Sequence, residues 1–118
     1  MEQLKRYVMS KSGLIYEVEE QEQVKKSIVF KAKGDNYARY IYDGETDYKT
    51  SNNILELVEV GDLVEDTYGV TAMVVAFGLI GEDDVKIFKC CYIDILYEDV
   101  KAIYKRQPNG DYKKYEVE

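Results

Sequence analysis

The clearest indication of the fold lies near the end of the chain, in Ala102-Ile103-Tyr104-Lys105-Arg106-Gln107-Pro108-Asn109-Gly110-Asp111-Tyr112-Lys113-Lys114-Tyr115-Glu116-Val117. Two strand-forming segments flank a short turn that contains Pro108 and Gly110. Proline pre-sets the backbone of such a turn, and glycine accepts the positive φ that the turn requires. This segment therefore predicts an antiparallel hairpin.

The same alternation of apolar and polar residues, typical of strands, continues towards the start of the chain. It predicts strands near residues 4–9, 14–19, 24–32, 37–42, 70–77 and 85–97. The first two form a hairpin, and residues 20–23 are a polar link. Asp43 and Gly44 occupy a tight hairpin turn, and a bulge near Lys89 interrupts the long strand 85–97. Seven to nine strands are expected.

Residues 50–60 change period and predict the one helix, of about two turns. Asn53 and Glu56 have the spacing of a capping box, which satisfies the free amides at a helix start. We therefore expect a mainly β protein with one short helix. Residues 1–118 form a single domain, divided into an antiparallel sheet (1–50), the helix (51–60) and a small β-barrel of the Src-homology type (61–118).

Composition excludes several functions. The 118 residues carry 16 basic and 23 acidic side chains, for a net charge of −7. Such a surface repels nucleic-acid phosphates and anionic membranes, so neither is an expected partner. Histidine is absent, which removes the usual proton-transfer group and the commonest metal ligand. No catalytic residue, metal or cofactor is predicted, and the protein is expected not to be an enzyme.

The expected cellular location follows from three features. The start of the chain lacks an apolar signal segment, and the longest apolar stretch is too short to span a bilayer. Adjacent cysteines, Cys90 and Cys91, point to opposite faces of a strand and predict reduced core packing. These features favour a cytoplasmic protein.

Tyrosines and acids cluster in the middle of the chain. The candidate partner-binding residues are Tyr37, Tyr40, Tyr42, Asp43, Glu45, Asp47 and Tyr48. Tyrosine is enriched at interface hot spots, and neighbouring carboxylates suit a basic protein partner. The alternative is that strands simply favour tyrosine and one face packs the core.

Other charged segments carry weaker hypotheses. The segment from Asp43 to Asp47 lacks the glycine and glutamate of a calcium loop, and Glu82, Asp83 and Asp84 supply too few oxygens alone. Both are interpreted as solvated turns. The final hairpin interleaves tyrosines with a basic patch, made of Lys101, Lys105, Arg106, Lys113 and Lys114. That pattern can stack single-stranded bases, but the acidic balance of the second half opposes it.

Two segments resemble known small proteins. Residues 50–64 and the Ile-Tyr-Lys hairpin that ends in Asn109-Gly110-Asp111-Tyr112 are similar to uncharacterised proteins of phages, prophages and mobile elements of low-GC Gram-positive bacteria. The resemblance covers residues 50–115. It implies an accessory protein of viral or prophage origin in the cytoplasm of a bacterial host cell, and it transfers no catalytic role.

Three hypotheses follow. The first is a non-enzymatic protein–protein interaction module that binds another protein or forms a homodimer. The second is an acidic nucleic-acid mimic that blocks a host defence or nucleic-acid-binding protein, with one negative face containing Asp43, Glu45, Asp47, Asp62, Glu65 and Asp66. The third, disfavoured, is a carboxylate-based enzyme, which requires a deep pocket holding acids with raised pKa values.

Overall fold

The computed structural model describes residues 4–42, 45 and 47–117. The protein is mainly β, as predicted, and contains two antiparallel sheets. The chain divides into two compact units, Met1–Leu57 and Val58–Glu118. The boundary falls inside the segment predicted to be a helix.

The first unit is a five-stranded sheet with the order β4-β3-β2-β1-β5. Its strands are β1 (Tyr7–Met9), β2 (Ile15–Val24), β3 (Ser27–Ala32), β4 (Ala38–Tyr42) and β5 (Lys49–Ser51). The predicted first hairpin is confirmed, since β1 pairs with β2 around a turn that contains Gly13 at a φ of 86°. One face of the sheet buries a cluster made of Leu4, Val8, Ile28, Phe30 and Ile41.

The predicted polar link at residues 20–23 is wrong. These residues continue β2 as far as a two-residue turn at Lys25 and Lys26, where Lys25 has a φ of 54°. Glu22 and Gln23 are exposed and pair with β3. A strand that exposes its side chains this fully shows no apolar alternation, so its polarity resembled a loop.

The predicted turn and helix of this unit also differ from the structure. Asp43 and Gly44 lie outside the described residues. The hairpin predicted there is wrong, because β4 and β5 occupy opposite edges of the sheet. The two-turn helix is reduced to a 3₁₀ turn, Ile54–Leu57. Asn53 caps this turn, as predicted. Its Oδ1 accepts the Leu55 N–H at 3.0 Å, one residue before the Glu56 N–H that a capping box uses.

The second unit is a six-stranded sheet with the order β11-β10-β6-β7-β8-β9. Its strands are β6 (Leu63–Asp66), β7 (Thr71–Ile80), β8 (Val85–Cys90), β9 (Asp94–Leu96), β10 (Val100–Arg106) and β11 (Tyr112–Glu116). A second 3₁₀ turn, Tyr97–Asp99, precedes β10. The predicted final hairpin is confirmed by the pairing of β10 with β11. Eleven strands are therefore described, two more than the upper expectation.

The long strand predicted over residues 85–97 is wrong. The chain reverses at residues 91–93, where Tyr92 has a φ of 72°, and β9 folds back to pair with β8. Cys90 is buried and Cys91 is exposed, and both thiols are free. The predicted opposite orientation is confirmed, whereas the expected core packing holds for Cys90 alone.

The core of the second unit contains β-branched residues from the central strands. Val64, Val74 and Ile103 are at most 1% exposed, and Phe88 stacks on Tyr97 with ring centroids 4.2 Å apart. The described pairings run from β11 to β9 and include none that joins these two strands. The closed barrel therefore stays a prediction.

Candidate functional site

The outer face of the first sheet brings together two of the predicted tyrosines. Ile41 turns into the core, so Tyr40 and Tyr42 on either side of it project from the opposite face and are 56% and 62% exposed. The cross-strand neighbours of the two rings are Val29 and Ser27 on β3. Residues directly opposite on paired strands share a face. We call this surface the tyrosine face and define it by Glu22, Val24, Ser27, Val29, Tyr40 and Tyr42.

Strand β4, which carries both rings, is an edge strand. Among the described residues, no strand pairs with its outer side. Glu45 closes one end of this edge: the Tyr42 N–H donates to Glu45 Oε2 at 3.2 Å, and the Glu45 N–H donates to the Tyr42 carbonyl at 3.0 Å. The Tyr42 backbone is therefore directed away from β3. By the alternation of a strand, the Tyr40 backbone faces outward as well.

The other predicted residues are distributed differently. Tyr37 is 78% exposed but precedes β4. Tyr48 packs against the core cluster and so is only partly accessible. Asp47 is exposed and lies 3.8 Å from Lys11 Nζ, and Asp43 lies outside the described residues. The predicted set thus separates into an exposed pair of rings, a carboxylate that closes the strand edge, and residues that do not share their face.

Asp35 positions this strand and was missed by the sequence prediction. Its Oδ1 accepts the Tyr37 N–H, and its Oδ2 accepts from Arg39 Nη2, both at 2.8 Å. The Tyr37 N–H, and then the Arg39 guanidinium, hold the pKa of the Asp35 carboxyl below its ordinary value. Arg39 in turn covers the Tyr16 ring at 4.2 Å. The signal available in the sequence was an aspartate two residues before Tyr37 and four before Arg39.

A cavity of about 200 Å³ in the first unit includes several of the same residues. Core side chains Val8 and Phe30 line it, together with two cations and two carboxylates, Lys11, Arg39, Glu45 and Asp47. The charges balance, and Arg39 is already held by Asp35. The volume lies below the range of about 300–1,000 Å³ typical of small-molecule sites. The cavity is therefore a weaker candidate for a binding site than the exposed tyrosine face.

The negative face predicted for a nucleic-acid mimic is wrong in the second unit. Asp62 is 3% exposed and Asp66 is 6% exposed. Asp66 Oδ1 accepts the N–H groups of Tyr68 and Val70, both at 2.9 Å, and so builds the turn between β6 and β7. These carboxylates stabilise backbone turns and cannot present charge to a partner.

Glu65, the remaining residue of that predicted face in the second unit, contacts two other side chains. It accepts from the Tyr104 hydroxyl at 2.9 Å and pairs with Lys101 at 3.1 Å. These two contacts, the tyrosine first, lower the pKa of Glu65, and the same hydrogen bond raises the pKa of Tyr104. The carboxylate is thus committed within the sheet.

Lys105, predicted to belong to a basic patch, is instead 1% exposed. Its ammonium lies 2.5 Å from Asp62 Oδ2 and 3.1 Å from Glu59 Oε1. Asp62 also accepts the backbone N–H groups of Glu59 at 2.8 Å and Arg106 at 3.0 Å. This network ties the turn before β6 to β10. Lys101 and Lys114 are also paired to carboxylates, so three of the five cations of the predicted patch are engaged within the fold.

Comparison with known proteins provides no further constraint: no family model, curated protein or solved structure matches the chain. Over the described ranges, no group of three or more potential ligand side chains is arranged to hold a metal ion. No helix in the same ranges is long and apolar enough to cross a membrane.

Proposed function

We propose that the protein is a non-enzymatic interaction module of phage or prophage origin that binds a basic protein segment on the tyrosine face. The observation that carries the proposal is the exposure of Tyr40 and Tyr42 side by side on a strand edge. Large rings with few rotatable bonds contribute much contact area at low entropic cost, and they are the residues that dominate interfaces.

Two acids next to the rings favour a basic partner. Glu22 is paired with Val29, the cross-strand neighbour of Tyr40, and Glu45 closes the edge beside Tyr42. Farther along the same rows Glu20 is opposite Lys31, and Lys25 and Lys26 form the turn that follows the Val24–Ser27 pair. Complementary charge accelerates association and orients the partner. An extended basic segment lying beside β4 can bond to its outward backbone while its side chains contact the rings, as in strand addition.

The test is affinity capture with a matched pair of variants. Immobilised wild-type protein is exposed to lysate of a low-GC Gram-positive bacterium at low and moderate salt, beside the double variant Tyr40→Ala/Tyr42→Ala. The control is Tyr68→Ala/Tyr92→Ala, which removes two exposed tyrosines (83% and 106%) from the second unit. We expect basic proteins retained by the wild type and the control and lost from the tyrosine-face variant.

Quantitative binding completes the test. A retained protein, purified, is titrated calorimetrically against all three forms. We expect the tyrosine-face variant to lose at least about tenfold in affinity and the affinity of the wild type to fall with salt. Equal affinity for the wild type and the tyrosine-face variant, or retention of acidic proteins alone, contradicts the proposal.

A further inference from the structure

In the second unit, the end of β7 forms an unpaired strand edge that differs in composition from the edge of β4. On one side of β7, β6 pairs only with the beginning of the strand, up to Met73. The next backbone hydrogen bonds on this side join the Gly61 N–H to the Val74 carbonyl and the Val74 N–H to the Asp62 carbonyl. On the other side β8 pairs with residues 76–80, after a register shift at Val75. No strand within the described residues pairs with residues 75–80 on the first side.

This edge lacks the usual protection of an exposed strand. Residues 75–80 read Val-Ala-Phe-Gly-Leu-Ile, with neither charge nor proline. Val75, Phe77 and Leu79 alternate along the strand and are 48%, 49% and 58% exposed. Natural edges are commonly blunted by lysine, proline or a covering loop. By contrast, β11 carries two lysines, and Glu45 closes the end of β4.

We propose that this edge pairs with the same edge of a second copy of the chain, in antiparallel register about a two-fold axis. An uncharged, identical edge is complementary to itself in this arrangement. It also lets a chain of net charge −7 associate without placing carboxylates in the contact. The inference is independent of the tyrosine face, because it rests on residues of the second unit.

Charge also selects the direction of pairing. The turn that ends β7 contains Glu82, Asp83 and Asp84. A parallel arrangement puts the two acidic turns side by side, where like charges repel. An antiparallel arrangement separates them by the length of the edge, about 20 Å for six residues. That distance exceeds the Debye length of about 8 Å at physiological salt, so the antiparallel dimer avoids the repulsion.

The test is sedimentation velocity from low to high micromolar concentration on the full chain. The variant Leu79→Glu places a carboxylate in the apolar contact, where pairing would remove it from water, while in the monomer the new carboxylate faces Lys86 across the hairpin, which preserves the fold. The control Val60→Glu changes a 61% exposed apolar residue of the same unit outside β7. We expect a concentration-dependent dimer for the wild type and the control, and a dissociation constant at least about tenfold higher for Leu79→Glu.

Hydrogen exchange on the wild type supplies the second measurement, with amides of residues 75–80 expected to gain protection as concentration rises. Tyr40→Ala/Tyr42→Ala is expected to dimerise normally, which separates this inference from the proposed function. A wild type that stays monomeric throughout overturns the proposal. So does a dimer that Leu79→Glu leaves intact, or an assembly whose mass grows beyond two chains.

Discussion

Loss of the Lys105 ammonium is expected to destabilise the second unit strongly. The variant Lys105→Met keeps an unbranched apolar side chain in the same space and removes the charge. Asp62, 3% exposed, then stays buried with two backbone N–H donors and no counter-ion. Removing one member of a buried ion pair costs about 3–5 kcal/mol, out of a typical stability of about 5–15 kcal/mol.

The control for this prediction is Lys101→Met on the same strand. The Lys101 side chain is 46% exposed and that of its partner Glu65, 3.1 Å away, is 15% exposed. Because solvent reaches the Lys101 ammonium, the pair is expected to contribute about 0–1 kcal/mol. The two variants remove the same charge from β10 and differ in the burial of the pair. The contrast between them therefore isolates the effect of desolvation.

The assay is urea unfolding followed by far-ultraviolet circular dichroism, since the chain lacks tryptophan. With a slope of about 1–3 kcal/mol per molar urea, the loss lowers the midpoint by at least about 1 M for Lys105→Met. Hydrogen exchange of β6 and β10 assigns the loss to the second unit. A midpoint within experimental error of wild type for Lys105→Met, or an equal fall for Lys101→Met, refutes the reasoning.

Three further predictions concern other parts of the chain. Ile41→Ala should lower the free energy of unfolding by about 2–5 kcal/mol because it opens a cavity in the core cluster, whereas Tyr42→Ala should change it by less than about 1 kcal/mol; similar urea midpoints for the two would be inconsistent with the described faces. Burial raises the pKa of Cys90 from 9.0 to about 11, so at mildly alkaline pH a thiol reagent should modify exposed Cys91 quickly and Cys90 only after unfolding, and two fast thiols per chain would contradict this. The lowered pKa of Glu65 means that its ionised form stabilises the folded state above its ordinary pKa of 4.5, and this contribution is lost as pH falls through the lower folded value. The stability advantage of wild type over Glu65→Gln should therefore shrink below about pH 4.5 in thermal melts, and a difference independent of pH would argue against the assigned contacts.

Local patterns predicted those elements whose determinants are close in sequence. The final hairpin follows from Pro108 and Gly110, and the position of Tyr40 and Tyr42 on one face, opposite Ile41, follows from strand alternation. The reversal before β9 depends on Tyr92 at positive φ, a conformation that side chains such as tyrosine seldom adopt. No composition rule therefore indicates it.

Long-range contacts explain the remaining differences. Asp62 has the sequence context of a solvated turn, yet Lys105 and the Arg106 N–H, 43 and 44 residues away, meet its carboxylate inside the fold. Tyr48 is partly buried because the core cluster of the first sheet assembles beside it. Neither outcome follows from the residues adjacent in the chain.

The closure of β4 by Glu45 sets a limit on recognition. A segment lying along this five-residue strand meets few outward backbone groups before the carboxylate occupies the last of them. For the basic segment that we propose, main-chain bonds would therefore supply only a small share of the affinity, and most of it would come from the two rings.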